Sequence, residues 1–213
     1  MGCDIHIYVE RKTETGWEAV QGLNPWISHY KEWAQSARDR GEHERADELY
    51  KAAVEMEVKE PWVYEGWIYN GRNYALFAML ADVRNDYNFK PISHPKGLPS
   101  DVSDYVKQQS DQWGEDGHSH SWLSLRELLD YDWEQTATIK GWVTKEQAEE
   151  YRRTGKTPSH WSSDVWPRDR YEEISWQVKY SDYVRDFIDY SLLKLKQFAC
   201  PPEDIRIVFW FDN

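Results

Sequence analysis

Hydrophobic and polar residues alternate near both ends of the chain. Near the amino terminus, the apolar positions Cys3, Ile5, Ile7 and Val9 alternate with Asp4, His6, Tyr8 and Glu10. Near the carboxyl terminus, Ile205, Ile207, Phe209 and Phe211 alternate with Arg206, Val208, Trp210 and Asp212. A period of two residues predicts β-strands with one face toward a core. The second segment is apolar enough for a central strand, and we predict that the two strands pair in one sheet.

Helical spacing dominates the sequence between these two strands. Apolar residues recur at intervals of three and four residues over 28–59, with Gly41 near the middle, which predicts an αα-hairpin inserted into a single domain 1–213. The same spacing predicts helices over 72–83 and 183–198. The sequence also predicts shorter elements. One helix runs from Ser100 toward Gln112, and a second lies near 123–129 with a Ser124–Glu127 capping box. A surface helix over 145–153 and a strand over 174–180 follow.

The fold class that follows from this pattern is α/β or α+β. It consists of a single mixed sheet built from the amino- and carboxy-terminal strands, flanked by helices and carrying the helical-hairpin insertion. The pattern does not determine the direction or the register in which the two strands pair.

Composition narrows the class of partner. The net charge of -12 argues against broad contact with duplex DNA, because neutralising phosphates needs a basic surface. A small anionic ligand, such as a nucleotide, needs only a local group of cations or a metal ion. The two cysteines form no disulfide framework, and the sequence has no apolar run of 18 residues and no secretory segment. These features predict a cytoplasmic protein without a membrane partner.

Two short motifs carry candidate metal ligands. Asp4 and His6 lie about 7 Å apart at Cα on one face of the first strand. His118 and His120 place two imidazoles on one side if that stretch is extended. Together with Asp212 they supply the mixed nitrogen and oxygen ligands of a hydrolytic Zn, Mn or Fe site, and we predict Asp4, His6, His118 and His120 as catalytic residues. The alternatives are a solvent-facing polar strand and a polar loop whose histidines bind neighbouring groups.

Arginine and tryptophan side chains are candidates for substrate binding. Arg72, Arg84 and Arg126 are predicted to hold phosphate oxygens, and Arg126 lies near a predicted helix start. Trp122 is predicted to stack on a base. Each arginine is alternatively a solvated surface cation. The neighbouring Ile5 and Ile7 favour a buried structural thiol at Cys3 over a nucleophile. The motifs of serine hydrolases, P-loop NTPases and dinucleotide-binding enzymes do not occur.

Several segments resemble a family of uncharacterised proteins of bacteriophages and prophages. They are the opening Met1-Gly2-Cys3-Asp4-Ile5-His6 with its GCDIH motif, the stretch 71–85, Lys96-Gly97-Leu98-Pro99, the HSHSW motif at 118–122 and the ending Phe209-Trp210-Phe211-Asp212-Asn213. The resemblance implies a phage-encoded protein that acts in the host cytoplasm, where phage accessory proteins often counter nucleotide-based immune signalling. The helical hairpin has no counterpart in the resemblance.

Three functions agree with these observations. The first is a metal-dependent hydrolase, a phosphodiesterase or nucleotide hydrolase that uses the Asp and His ligands. The second is a non-catalytic protein that sequesters a nucleotide-derived immune signal by aromatic stacking and cationic contacts. The third is a structural or protein-interaction module.

Overall fold

The computed structural model describes residues 2–59, 62–64 and 68–213. Their contacts divide the chain into two compact units, one formed by 1–18 with 68–213 and the other by 19–67. The strands are β1 (Ile5–Thr13), β2 (Gly16–Ala19), β3 (Gln21–Leu23), β4 (Trp62–Tyr64), β5 (His118–Ser124), β6 (Thr136–Thr144), β7 (Tyr171–Lys179) and β8 (Ile205–Phe211). The α-helices are α1 (Pro25–Asp39), α2 (His43–Lys59), α3 (Tyr74–Ala81), α4 (Asp104–Asp111), α5 (Leu125–Asp130), α6 (Lys145–Thr154), α7 (Tyr180–Tyr183) and α8 (Leu193–Leu195).

The main sheet joins the two ends of the chain. It has four strands in the order β2-β1-β8-β5. β1 and β5 both pair antiparallel with β8, and the register places Ile5 opposite Phe211. The predicted pairing of the terminal strands, the central place of the last strand and the mixed α and β fold class are therefore confirmed.

β8 is buried on both faces of this sheet. All seven of its residues are buried. On one face the ring of Phe77 from α3 lies 5.0 Å from the ring of Phe211. On the other face Tyr8 stacks 5.1 Å from Trp210 and donates a hydrogen bond of 3.4 Å to Gln109 of α4. The sheet thus lies between α3 and α4, which explains why the last strand is apolar at nearly every position.

Side-chain caps determine where several helices begin. The predicted capping box is confirmed, because Ser124 accepts from the backbone N–H of Glu127 and the Glu127 carboxylate accepts from the backbone N–H of Ser124. The α4 helix is capped by Ser103, whose hydroxyl accepts from the backbone N–H of Val106. The predicted start at Ser100 is therefore wrong by about one turn, because Ser103 is the residue whose hydroxyl reaches an unpaired N–H of the first turn.

The carboxy-terminal half contains two further differences from the sequence-based expectation. β6 was not predicted, and it pairs antiparallel with β7 from Thr136 opposite Lys179 to Thr144 opposite Tyr171. The segment 183–198 is not one continuous helix. The backbone leaves helical geometry at Val184 (φ -130°, ψ 26°) and continues as a π-helix, Phe187–Leu192, before α8.

The second unit contains the predicted αα-hairpin. Its helices are α1 and α2, and Gly41 between them has a φ of +80°, which favours glycine. Small side chains that are fully buried let the two helices approach closely: Ala34, Ala37, Ala46 and Ala53. Strands β3 and β4 pair in the same unit. Among the described residues, no helix is both long and apolar enough to cross a membrane.

Candidate functional site

The antiparallel register brings Asp4, His6 and Asp212 together at one end of the main sheet. The carboxylate of Asp212 accepts a hydrogen bond of 2.9 Å from the backbone N–H of Asp4. Its second oxygen lies 3.2 Å from Nε2 of His6. Because an ionised carboxylate can only accept, Nε2 carries a proton, and in the neutral imidazole Nδ1 then holds the lone pair. Asp212 therefore lies beside the first strand, which the sequence pattern left open because it determines neither the direction nor the register of pairing.

The guanidinium group of Arg72 pairs with the carboxylate of Asp4. Its Nε donates to one carboxylate oxygen at 2.7 Å, and its Nη2 donates to the other oxygen. This two-point pairing lowers the pKa of Asp4. Glycine at position 2 makes the approach of Arg72 feasible, since a Cβ there would lie 2.3 Å from the Nη1 atom of Arg72. Both partners remain about half exposed.

Arg84 lies at the same end of the sheet. Its Nη2 donates a hydrogen bond of 3.2 Å to the side chain of Asn213, and its guanidinium lies 5.5 Å above the ring of Tyr74. The Tyr74 hydroxyl accepts from the backbone N–H of Cys3 at 3.3 Å. Burial raises the pKa of the Cys3 thiol, and Arg84 opposes this shift. Cys3 is fully buried, as expected for a structural thiol.

We call Asp4, His6, Arg72, Arg84 and Asp212 the terminal cluster. Its imidazole lies between two indole rings, with the ring centroid of Trp113 at 4.0 Å and that of Trp210 at 5.8 Å. The His6 side chain is 22% exposed, so the imidazole is held in place but still reachable. The cluster thus combines an imidazole that is oriented by a carboxylate with two guanidinium groups.

The two histidines of the HSHSW motif lie on opposite faces of the sheet. The pairing of β5 with β8 is irregular between His118 and Ser121, and Ser119 has a φ of +52°. His118 pairs with Phe211 and stacks on its ring at 6.1 Å, whereas His120 stacks on Trp210 at 5.7 Å. Neighbouring residues of a strand point to opposite faces. The bulge therefore replaces the predicted arrangement, in which both imidazoles shared one side.

The predicted metal ligands are only partly brought together. In the described ranges 2–59, 62–64 and 68–213, no group of three or more His, Cys, Asp or Glu side chains is arranged to hold a metal ion. Nδ1 of His118 lies at hydrogen-bond distance from the hydroxyl of Ser119, and Nε2 of His120 from that of Ser110. Binding of Zn, Mn or Fe stays a prediction.

Two of the predicted substrate-binding residues lie away from the terminal cluster. β5 runs from His118, opposite Phe211, to Ser124, opposite Arg206, so Arg126 follows the far end of this strand. Arg126 donates to Glu203 at 2.8 Å. Trp122 lies 4.2 Å from the ammonium group of Lys96. Of the predicted cations, Arg72 thus pairs with Asp4, and Arg84 contacts Asn213, the residue that follows Asp212.

One contact of His120 was not foreseen from the sequence. Its Nε2 lies 2.9 Å from the hydroxyl oxygen of Ser110, at the end of α4. Burial, and to a smaller extent His118, lowers the pKa of His120. The pair lines a cleft of about 430 Å³, here called the Ser110 cleft, whose wall consists of Gly97, Leu98, Ser110, Asp111, Gly114 and His120. No motif marks Ser110, because its partner comes from a different element.

Comparison of the chain with protein-family models, with curated proteins and with solved structures gave no match. Membership of the phage protein family stays a prediction. Function must be inferred from the chemistry of the site, since a fold alone does not determine it.

Proposed function

We propose that the chain is a hydrolase of a small phosphate ester, a phosphodiesterase or nucleotide hydrolase, with His6 as its general base. The observation that carries this proposal is the double contact of Asp212, which binds Nε2 of His6 and the backbone N–H of Asp4. A carboxylate that fixes the tautomer of an imidazole is a recurring arrangement in hydrolytic sites. Arg72 and Arg84 add cations beside this pair, as a phosphate ester requires.

The proposed step begins with a water molecule held by Nδ1 of His6. Nδ1 takes a proton from the water while the water oxygen forms a bond to phosphorus. The bond between phosphorus and the leaving oxygen breaks, and that oxygen takes up the proton from His6. Asp212 stabilises the positive imidazolium that exists between these two transfers.

Arg72 is the residue proposed to bind the phosphate. Its side chain is 52% exposed and its fork is already aligned by Asp4. A phosphate offers the same pair of oxygens as a carboxylate and therefore competes with Asp4 for this fork. Asp4 then acts as a positioning residue that keeps the guanidinium ordered before substrate arrives.

Divalent metal ions are added in one arm of the test. The described residues offer no group of three His, Cys, Asp or Glu ligands, so the ion enters as a condition of the assay, and an ion that did bind would lower the pKa of the attacking water. The water-activating role of His6 and the cationic roles of Arg72 and Arg84 can be measured with and without such an ion.

The test is hydrolysis by the full chain. Bis(4-nitrophenyl) phosphate and a panel of linear and cyclic dinucleotides are incubated with the protein, in EDTA and with added Zn, Mn or Fe. The resemblance to phage proteins makes cyclic dinucleotides of host immune signalling the first substrates to examine. His6→Gln should reduce turnover by about 100-fold or more, as expected for loss of a general base. The matched control is His160→Gln, since His160 lies on an exposed loop with its Nδ1 3.0 Å from the hydroxyl oxygen of the adjacent Ser159.

Two results would overturn the proposal. Turnover that is equal in the wild type and in His6→Gln would remove the assigned base. Absence of turnover in every metal condition, with the nucleotide recovered intact from heat-denatured protein, would favour sequestration. That second function is supported by the half-buried Trp113 beside His6, since an indole can stack on the base of a nucleotide.

A further inference from the structure

The geometry points to a second reactive site, in which Ser110 is a nucleophile toward a small carboxylic ester and His120 is its base. The two atoms that would exchange a proton, Oγ of Ser110 and Nε2 of His120, are 2.9 Å apart. A serine becomes a useful nucleophile when such a base takes its proton. This site shares no residue with the terminal cluster, so it stands whether or not His6 is catalytic.

Two rigid elements hold this pair in place. Ser110 lies in the last turn of α4, and its side chain is buried. His120 follows the bulge at Ser119, and its ring stacks on Trp210, which is fully buried. The bulge is what turns His120 toward α4 while His118 faces the opposite side of the sheet. A backbone irregularity that aims a side chain in this way is common beside functional sites.

The Ser110 cleft has room for a small ligand next to the hydroxyl group. Its volume is about 430 Å³, and Leu98 supplies apolar surface beside Ser110 and His120. The glycines at 97 and 114 have open space at the position of a Cβ atom, so no side chain closes the entrance there. The cleft therefore suits a short acyl group better than an extended polymer.

A buried donor lies against the same imidazole. Nε1 of Trp210 has no hydrogen-bond partner among the described residues. Cδ1, the carbon bonded to this nitrogen, lies 3.6 Å from the position that a Cβ at Gly117 would occupy, and Cε1 of His120 lies 3.5 Å from that position. Trp210 is fully buried, so this indole N–H forms part of the floor under the His120 imidazole rather than of the cleft wall.

The reaction has two steps, acylation of Ser110 and hydrolysis of the acyl-serine. The Ser110 hydroxyl gives its proton to Nε2 of His120 as its oxygen forms a bond to the ester carbonyl carbon. The bond from that carbon to the alkoxy oxygen breaks, and the alcohol leaves with the proton from His120. Water then attacks the acyl-serine in the same manner, giving the free acid and restoring the hydroxyl.

The test uses phenylmethanesulfonyl fluoride and 4-nitrophenyl acetate with the intact wild-type chain. The sulfonyl fluoride should form one adduct, with release of fluoride, and peptide mass spectrometry should place it on Ser110. Ser124 is an internal control, since its hydroxyl is held by Glu127. Acetate ester cleavage should fall by about 100-fold in His120→Gln. It should be unchanged in His94→Gln, where the replaced histidine is exposed and contacts Asp82.

The mapping is done on the wild type, so its result does not depend on whether a variant folds. An adduct spread over surface serines and tyrosines with none on Ser110 would overturn the assignment. So would an acylation rate that is the same in wild type and in a His120→Gln variant whose circular dichroism spectrum is native.

Discussion

Replacing Glu10 with Gln should destabilise the first unit more than any exposed charge change. Glu10 and Arg206 form an ion pair of 2.7 Å in which the side chains are 0% and 3% exposed. The other carboxylate oxygen of Glu10 accepts from the backbone N–H of Ser103, the cap of α4, at 2.8 Å. Glu10→Gln keeps the size of the side chain but leaves the guanidinium of Arg206 buried without this counter-charge.

The expected loss can be worked out from the surroundings of Arg206. Removing one partner of a buried ion pair typically costs about 3–5 kcal/mol. Arg206 keeps a contact of 2.8 Å with Asp101, whose side chain is 62% exposed, and stacks 4.0 Å from the ring of Trp17. These remaining contacts place the expected loss at the lower end of that range, about 3 kcal/mol. For a chain of this size the loss corresponds to a fall in Tm of about 6–12 °C.

Urea unfolding followed by tryptophan fluorescence and far-UV circular dichroism measures this change. The matched control is Asp101→Asn, which removes the exposed partner and should cost less than about 1 kcal/mol. The double variant Glu10→Met with Arg206→Met should be destabilised less than Glu10→Gln, because it leaves no unpaired buried charge. A loss below about 1 kcal/mol in Glu10→Gln, or one equal to that of Asp101→Asn, would refute this reasoning.

Two further predictions concern the exposed partners of Arg72 and Arg206. In Gly2→Ala, the new Cβ would displace the Arg72 side chain from Asp4. An NMR titration should then show the pKa of Asp4 moving up toward its ordinary value. An unchanged pKa would show that Arg72 still pairs with Asp4 in the variant. The Arg206 guanidinium holds the pKa of Asp101 below its ordinary value. The ionised carboxylate therefore stabilises the folded state at pH values above the unfolded pKa of about 3.9, and this stabilisation is lost as the pH falls through the folded pKa. The free-energy difference between wild type and Asp101→Asn should therefore shrink below about pH 4, and urea unfolding at a series of pH values that gives a constant difference would contradict this.

The terminal strands could be predicted from the sequence because alternation is a local property. Each segment shows which of its residues share a face without knowledge of the rest of the chain. Once the two strands pair antiparallel in the observed register, Asp4 comes to lie beside Asp212. The register itself came from packing on both faces of β8, where Phe77 covers one side and Tyr8 the other. That information is spread over elements far apart in sequence.

The arrangement of the histidines could not be predicted, because it depends on the conformation of a single residue. The alternation rule assumes an extended backbone, and Ser119 departs from it with a positive φ. One such departure moves His120 to the face opposite His118. The contact between His120 and Ser110 could not be predicted for a second reason. The helix that carries Ser110 and the strand that carries His120 come together only after the sheet has formed.

The position of β8 between β1 and β5 has a consequence for how the chain is made. The hydrogen bond between Asp4 and Asp212 joins residues 208 positions apart, and the strand that links the two sides of the sheet is synthesised after both of its neighbours. Closing so long a loop is slow, and until it closes β1 and β5 each present an unpaired edge on the nascent chain. The main sheet therefore cannot form before β8 has left the ribosome, and until then the unpaired edges of β1 and β5 favour association with other chains.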